Sequence, residues 1–327
     1  MADTLAPLAD SEVSRATGAP DWPTFGLASD MRPFLKRARD RGEAIALATL
    51  VTVEGGGPRR AGAQMVIDRY EVHGFLSGGC IESDIVCHAR DCLRDGHPRR
   101  LVYGDDSPFF DIRLLCGRRI EVYLERILAD DSSIAEMLQL TGLRRSAFWT
   151  SNGFTRSCRE TDRADGIDAG YDGDEIWKRF KPPLRLFVVG RDPAVMAIAT
   201  LASQAEIDTI IVRINGPETP PPIGNVGYSR TGALGALDSR TAVVVAQHDD
   251  DADYAVTVAS LNSDAAYVGL MGSRRNIEAH IGRLKSQGFS QETLTRLRAP
   301  VGLPLGSHAP WEIAVSVVGE LLQVFSD

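Results

Sequence analysis

Leu184-Arg185-Leu186-Phe187-Val188-Val189-Gly190-Arg191-Asp192-Pro193-Ala194-Val195 is an apolar run that ends on glycine and turns at once into a helix start. Residues 184–189 are too few for a stable helix and have the branched, apolar character of a buried strand. Asp192 and Pro193 read as N-cap and first helical residue of a helix over 193–204. The alternation continues, with strands predicted over 209–214, 242–247 and 266–270 and helices over 254–261, 274–288 and 310–325. Strands separated by helices need crossover connections and therefore a parallel sheet. Residues 183–327 are accordingly expected to form a Rossmann-like, doubly wound α/β domain.

The texture upstream is different. Helices are predicted over 31–41 and 81–95, strands over 44–53, 101–103 and 120–127, and a hairpin from 65–68 and 72–76. This pattern describes a mixed α+β amino-terminal domain over 31–129, with glycine turns at strand and helix ends. Residues 1–30, acidic and rich in Ala and Pro, are expected to be a partly ordered arm. Residues 130–182, polar and rich in Gly and Asp around 162–174, read as a connecting region with room for a small hairpin. Lys181-Pro182-Pro183 stiffens the chain and marks the boundary.

A chain of 327 residues with 43% hydrophobic content buries cores enough for about two domains. Its 36 Lys and Arg against 44 Asp and Glu give a net charge of -8, which argues against a general nucleic-acid or anionic-membrane binder. Local arginine clusters are therefore assigned to small anions. Five cysteines, an odd number, in a chain that opens without a basic and apolar leader point to a reducing, cytoplasmic setting. No apolar run reaches the roughly 18 residues a membrane span needs.

Dinucleotide folds hold pyrophosphate on a Gly-x-Gly-x-x-Gly turn after the first strand. Here Gly190 opens that turn, but Asp192 stands at the second glycine position, where a carboxylate repels phosphate. Arg213-Ile214-Asn215 occupies the place of the acidic ribose partner. Binding of NAD(P) or FAD is thus an alternative that this turn opposes. Two other strand-end loops suit a ligand better, Gln247-His248-Asp249-Asp250 and Gly272-Ser273-Arg274-Arg275. The second is a candidate phosphate nest, its structural alternative being a capped helix with solvated arginines. His248 is ranked only as a neighbour of a site.

Ser77-Gly78-Gly79-Cys80-Ile81-Glu82 places a thiol where a glycine turn enters a helix, and a helix N-terminus stabilises a thiolate or a bound anion. A tight turn around an inert cysteine is the alternative. Gly55-Gly56-Gly57-Pro58-Arg59-Arg60 is a second flexible run, ending in two guanidinium groups suited to phosphate. Leu115-Cys116-Gly117-Arg118-Arg119 sets another thiol beside glycine and arginine. Cys87 and Cys92 read as helix-packing residues, and Cys87, two turns from Cys80, lies about 10 Å away along the helix, too far for a disulfide. Glu82 has three readings: a cap on a backbone N–H, a grip on the amide of a bound ligand, or favourable charge at a helix start. The cysteines and histidines lack zinc-ligand spacing.

Gly55 to Arg60, Gly62-Ala63-Gln64-Met65, Ser77 to Glu82 and Cys116-Gly117 resemble the amino-terminal half of the XdhC/CoxI family. Tyr267-Val268-Gly269, Gly272 to Arg275, Arg298-Ala299-Pro300-Val301-Gly302 and Pro310-Trp311-Glu312-Ile313-Ala314 resemble its carboxy-terminal Rossmann domain, in order and spacing. Arg118 replaces a family glycine after Cys116-Gly117, and Ala309 replaces a threonine that caps the last helix. The resemblance covers about residues 40–128 and 183–325.

It implies a chaperone, rather than an enzyme, that binds molybdenum cofactor as molybdopterin or its dinucleotide, supports its sulfuration and delivers it to a xanthine-dehydrogenase-type molybdenum hydroxylase. A cysteine desulfurase is the implied sulfur donor, and a homodimer is expected from base rates. On this reading the cofactor sits between the domains. Cys80 faces molybdenum, Cys116 helps, and Arg59, Arg60 or the Gly272–Arg275 turn meets the phosphate, with Ser77, Gly78, Gly79, Glu82, Gly117, Gly190 and His248 around it. The rivals are a nicotinamide- or flavin-dependent oxidoreductase, and an assembly scaffold for a client such as a carbon monoxide dehydrogenase.

Overall fold

The computed structural model describes residues 23–57, 59–79, 81–104, 119–161, 166–247, 249–306 and 308–326. The chain divides into two compact units, residues 1–182 and 183–327.

In the first unit a 3-10 turn, Thr24–Leu27, precedes helix α1 (Arg32–Arg41). Strands β1 (Ile45–Val53), β2 (Gln64–Ile67), β3 (Val72–His73), β4 (Arg99–Tyr103) and β5 (Ile120–Ile127) form an antiparallel sheet ordered β3-β2-β1-β5-β4. Helix α2 (Glu82–Asp95) covers one face, where Ile81, Ile85, Ala89 and Cys92 meet Ala46, Ala48, Leu50, Met65 and Ile67. The other face buries Ile45, Leu47, Val51 and Val66 against Leu35 and Ala38 of α1 and against Trp149, Ile176 and Phe180. With both faces covered, β1 is buried continuously from Ile45 to Val51 instead of alternating.

Residues 130–182 depart from the expectation of a connecting region with a small hairpin. Helix α3 (Ser132–Gly142) and strands β6 (Ala147–Ser151), β7 (Arg156–Glu160), β8 (Ala169–Asp172) and β9 (Glu175–Phe180) fill it, the strands pairing as β7-β6-β9-β8. This second sheet shares the core of the first. A buried ion pair ties the two: Glu125 of β5, fully buried, accepts from Arg156 Nε and from Ser151 Oγ, each at 2.6 Å.

The second unit is a doubly wound parallel sheet. Its strands are β10 (Arg185–Gly190), β11 (Asp208–Val212), β12 (Val226–Ser229), β13 (Thr241–Ala246), β14 (Tyr267–Leu270) and β15 (Leu297–Arg298), ordered β12-β11-β10-β13-β14-β15. Numbered along the unit this is 3-2-1-4-5-6, the strand order of dinucleotide-binding folds. Helices α4 (Pro193–Gln204) and α8 (Pro310–Phe325) cover one face. Helices α5 (Asp250–Leu261) and α6 (Arg274–Ser286), with the short α7 (Gln291–Leu294), belong to the other. The edge strands β12 and β15 were not among the expected elements. No helix among the described residues is long and apolar enough to cross a membrane.

Candidate functional site

The antiparallel register of the first sheet sends its glycine turns to one end. Val53, the last residue of β1, lies opposite Ile120, the first of β5, and Ile120 also faces Tyr103, the last of β4. Gln64 opens β2 opposite Thr49, and β3 leaves at His73 opposite Val66. That end therefore receives the 54–63 loop, the 74–81 loop, and Gly104 and Arg119, which bound the segment containing Cys116 and Gly117. Cys80, Cys116, Gly117 and His248 lie outside the described residues.

The 74–81 loop is organised by Glu82. Its Oε1 accepts from the backbone N–H of Leu76 at 2.9 Å and of Ser77 at 2.7 Å. Its Oε2 accepts from Ser77 Oγ and Gly79 N, both at 2.8 Å, and from Ile81 N at 3.2 Å. Burial alone would push this carboxyl up, but the Ser77 and Leu76 amides and the Ser77 hydroxyl together hold it below the usual carboxylate range. Of the three readings of the sequence, the cap on backbone N–H groups is the one these bonds display, with both oxygens engaged by the loop itself. Ser77 likewise turns its hydroxyl to Glu82. Gly78 and Gly79, at φ 89° and 112°, carry the loop through the left-handed region, and both are exposed. Among the described residues, a side chain at Gly79 would meet nothing within 4 Å.

The 54–63 loop is pinned at both ends, by Glu54 N to Arg119 O at 2.9 Å and by Gly62 N to Leu50 O at 2.7 Å. Arg59 is half-buried, donates to Ser29 Oγ at 2.9 Å and lies with its guanidinium carbon 4.8 Å from the centroid of Phe75. It thus reaches the residue that enters the Ser77–Gly79 turn. Arg60 is exposed beside it. Lys178 of β9 also reaches this loop, its Nζ donating to Gly62 O at 2.5 Å. Sequence reading missed it because 130–182 passed for a connector. The signal available was the run Glu175–Phe180, which reads as a strand only once a partner strand is known.

In the second unit Gly190 is buried, and a side chain there would strike the Ala246 carbonyl of the adjacent strand. Its missing side chain lets β10 and β13 pack closely. Asp192 caps α4, its Oδ1 accepting from Val195 N at 2.9 Å. The carboxylate thus occupies the helix start where a dinucleotide would seat its pyrophosphate. Ser273 caps α6 through Asn276 N at 3.3 Å, and Gly272, Arg274 and Arg275 are exposed at the carboxyl end of β14. Asp250, in the first turn of α5, accepts from Asn276 Nδ2 at 3.4 Å, so a carboxylate borders this turn. Cys87, expected to pack, is exposed on α2, whereas Cys92 is buried.

Residues 186–321 match the XdhC Rossmann domain, and residues 38–104 match the XdhC and CoxI family. The molybdenum cofactor insertion chaperone PaoD of Escherichia coli (strain K12) is 30% identical over 309 residues, 91% of this chain and 90% of that protein. A crystal structure described as a xanthine dehydrogenase from Bacillus halodurans shares the fold, with a TM-score of 0.70 at 20% identity over 90% of this chain and 95% of that one.

Proposed function

The chain belongs to the XdhC and CoxI family, and from that premise we propose that it is a molybdenum cofactor chaperone, which binds the cofactor, supports its sulfuration and hands it to a molybdenum hydroxylase of the xanthine dehydrogenase class. The name of the E. coli relative supports the cofactor. The observation that carries the reading is the meeting of two glycine turns at one end of the first sheet, with Arg59 stacked on Phe75 and the exposed Gly78–Gly79 backbone in a loop held by Glu82.

These residues fit a flat, anionic, hydrogen-bonding ligand. Arg59 and Arg60 would meet its phosphate, and the exposed glycines let a planar ring system approach the backbone. Cys80, next after Gly79 in sequence, would offer the thiolate for molybdenum, with Cys116 as helper. When bound, the cofactor supplies a soft metal centre whose labile sulfido group the thiol shields. In this proposal a cysteine desulfurase provides the sulfur and the protein works as a cytoplasmic homodimer on molybdopterin or its dinucleotide. The capped Asp192 turn speaks against the oxidoreductase rival.

The test is equilibrium binding of anaerobically prepared molybdenum cofactor to the chain and to Cys80→Ala, with NADH and FAD as controls. Saturable cofactor binding that weakens about tenfold or more in Cys80→Ala is expected, a difference of about 1.4 kcal/mol. Saturation by NADH or FAD without cofactor binding would move the function to the second unit.

A further inference from the structure

We infer that the outer face of α8 pairs two copies of the chain, helix against helix and antiparallel across a two-fold axis near Val317. The inference deepens the proposed function, resting on it only for the homodimer, and names the surface that forms it.

Helix α8 is apolar on two sides. One side packs on the parallel sheet through Ala314, Val317, Val318 and Leu321. On the other, Trp311, Val315 and Leu322 are 59%, 53% and 46% exposed. With Val318 among them these residues recur at intervals of four, three and four, the spacing of a seam between paired helices. The helix has two charged residues, and the chain itself engages both. Glu312 accepts from His308 N at 3.0 Å and Ala309 N at 3.1 Å, and Glu320 accepts from Tyr267 Oη at 2.5 Å and Gly302 N at 2.9 Å. Helix α6 of the same unit instead exposes Arg275, Glu278, Arg283 and Lys285. A helix that is apolar all round belongs in an interior, so the outer seam of α8 calls for a cover.

A second copy fits it. A two-fold contact sets one patch against itself, so any charge near the axis meets its own like. Trp311, Val315, Gly319 and Leu322 carry none. Antiparallel pairing sets Trp311 of one copy on Leu322 of the other, Val315 against Gly319, and the Glu312 carboxylate beside the Gln323 amide, an acceptor facing a donor. Parallel pairing would set Glu312 against Glu312. Full burial removes about 150–250 Å² for an aromatic side chain and roughly 60–120 Å² for Val or Leu, so the three exposed side chains offer roughly 200 Å² per copy. A standard interface buries about 800 Å² per partner, a little over half of it non-polar. The seam thus supplies a little under half of the apolar contact such a dimer needs and forms its centre.

The experiment is sedimentation velocity on the full chain from about 1 to 100 μM, with Val315→Glu and Val315→Lys run alone and mixed. The unaltered chain should sediment at twice the chain mass. Val315 lies beside the axis, so either charge meets its own copy and should weaken pairing about a hundredfold, whereas the equimolar mixture should restore the dimer through Glu–Lys pairs. A monomer throughout the range overturns the inference. So does a dimer that persists in both variants, or a mixture that stays monomeric while circular dichroism shows both variants folded. Cofactor binding is read separately. A monomer that binds molybdenum cofactor leaves the chaperone reading and sinks the pairing; a dimer that the charges dissolve and their mixture restores, without cofactor binding, leaves the pairing and sinks the chaperone reading.

Discussion

Replacing Glu82 by Gln tests whether one carboxylate builds the Ser77–Gly79 turn. The amide keeps the volume but offers a single acceptor oxygen, so an NH₂ group must face N–H donors at one of the two positions. Either the Leu76 and Ser77 amides or the trio of Ser77 Oγ, Gly79 N and Ile81 N loses its acceptor. Hydrogen bonds to a charged group contribute about 1.5–3 kcal/mol each, and partial solvent access at Ser77 discounts one, so the first unit should lose about 3 kcal/mol. Urea unfolding reports this in a Trp311→Phe background, because Trp22, Trp149 and Trp177 all lie in residues 1–182. With a slope near 2 kcal/mol/M the midpoint should drop by roughly 1.5 M. The Glu82 carboxyl is held low in the folded state, so its contribution is complete above the unfolded value of about 4.3 and is lost as pH falls through the folded value. The gap between the two proteins should therefore shrink below about pH 5. A gap under about 0.5 kcal/mol at pH 7, or one that widens on acidification, would refute the assignment.

Two further substitutions probe the frame. Arg156→Met strands the fully buried Glu125 with only Ser151 Oγ and should cost about 3–5 kcal/mol. Burial pushes the Glu125 carboxyl up against the pull of Arg156, so without that pull the folded state gains relative stability as pH falls; melts at pH 5 and pH 8 should show the smaller deficit at pH 5. Ala309→Ser supplies the side-chain acceptor that α8 lacks, its extended backbone already suiting a cap, and should raise stability by about 1 kcal/mol in calorimetry. No gain would mean that Glu312, which accepts from His308 N and Ala309 N, leaves too little unsatisfied for a second acceptor to matter.

The second unit was legible from sequence because its signals are local. Parallel strands buried on both faces read as apolar runs, and Asp192-Pro193 and Gly272-Ser273 announce helix starts within a few residues. The short edge strands β12 and β15 escaped, since their pairing needs a neighbour and little apolar surface marks them. The glycine turns and Arg59 were also visible as candidates, since backbone freedom and guanidinium chemistry belong to residue types. What each residue does with that chemistry was decided elsewhere. Edge strand β7 buries only Cys158, so the strands within residues 130–182 become a sheet only against Tyr123, Val66 and the rest of the shared core. Glu82 became the loop's organiser only when five donors converged on it. Lys178 meets Gly62 across 116 residues. Composition and caps follow from covalent chemistry and neighbours in sequence, whereas desolvation and charge balance depend on which distant groups the fold brings within a few ångströms, and that is set by tertiary packing alone.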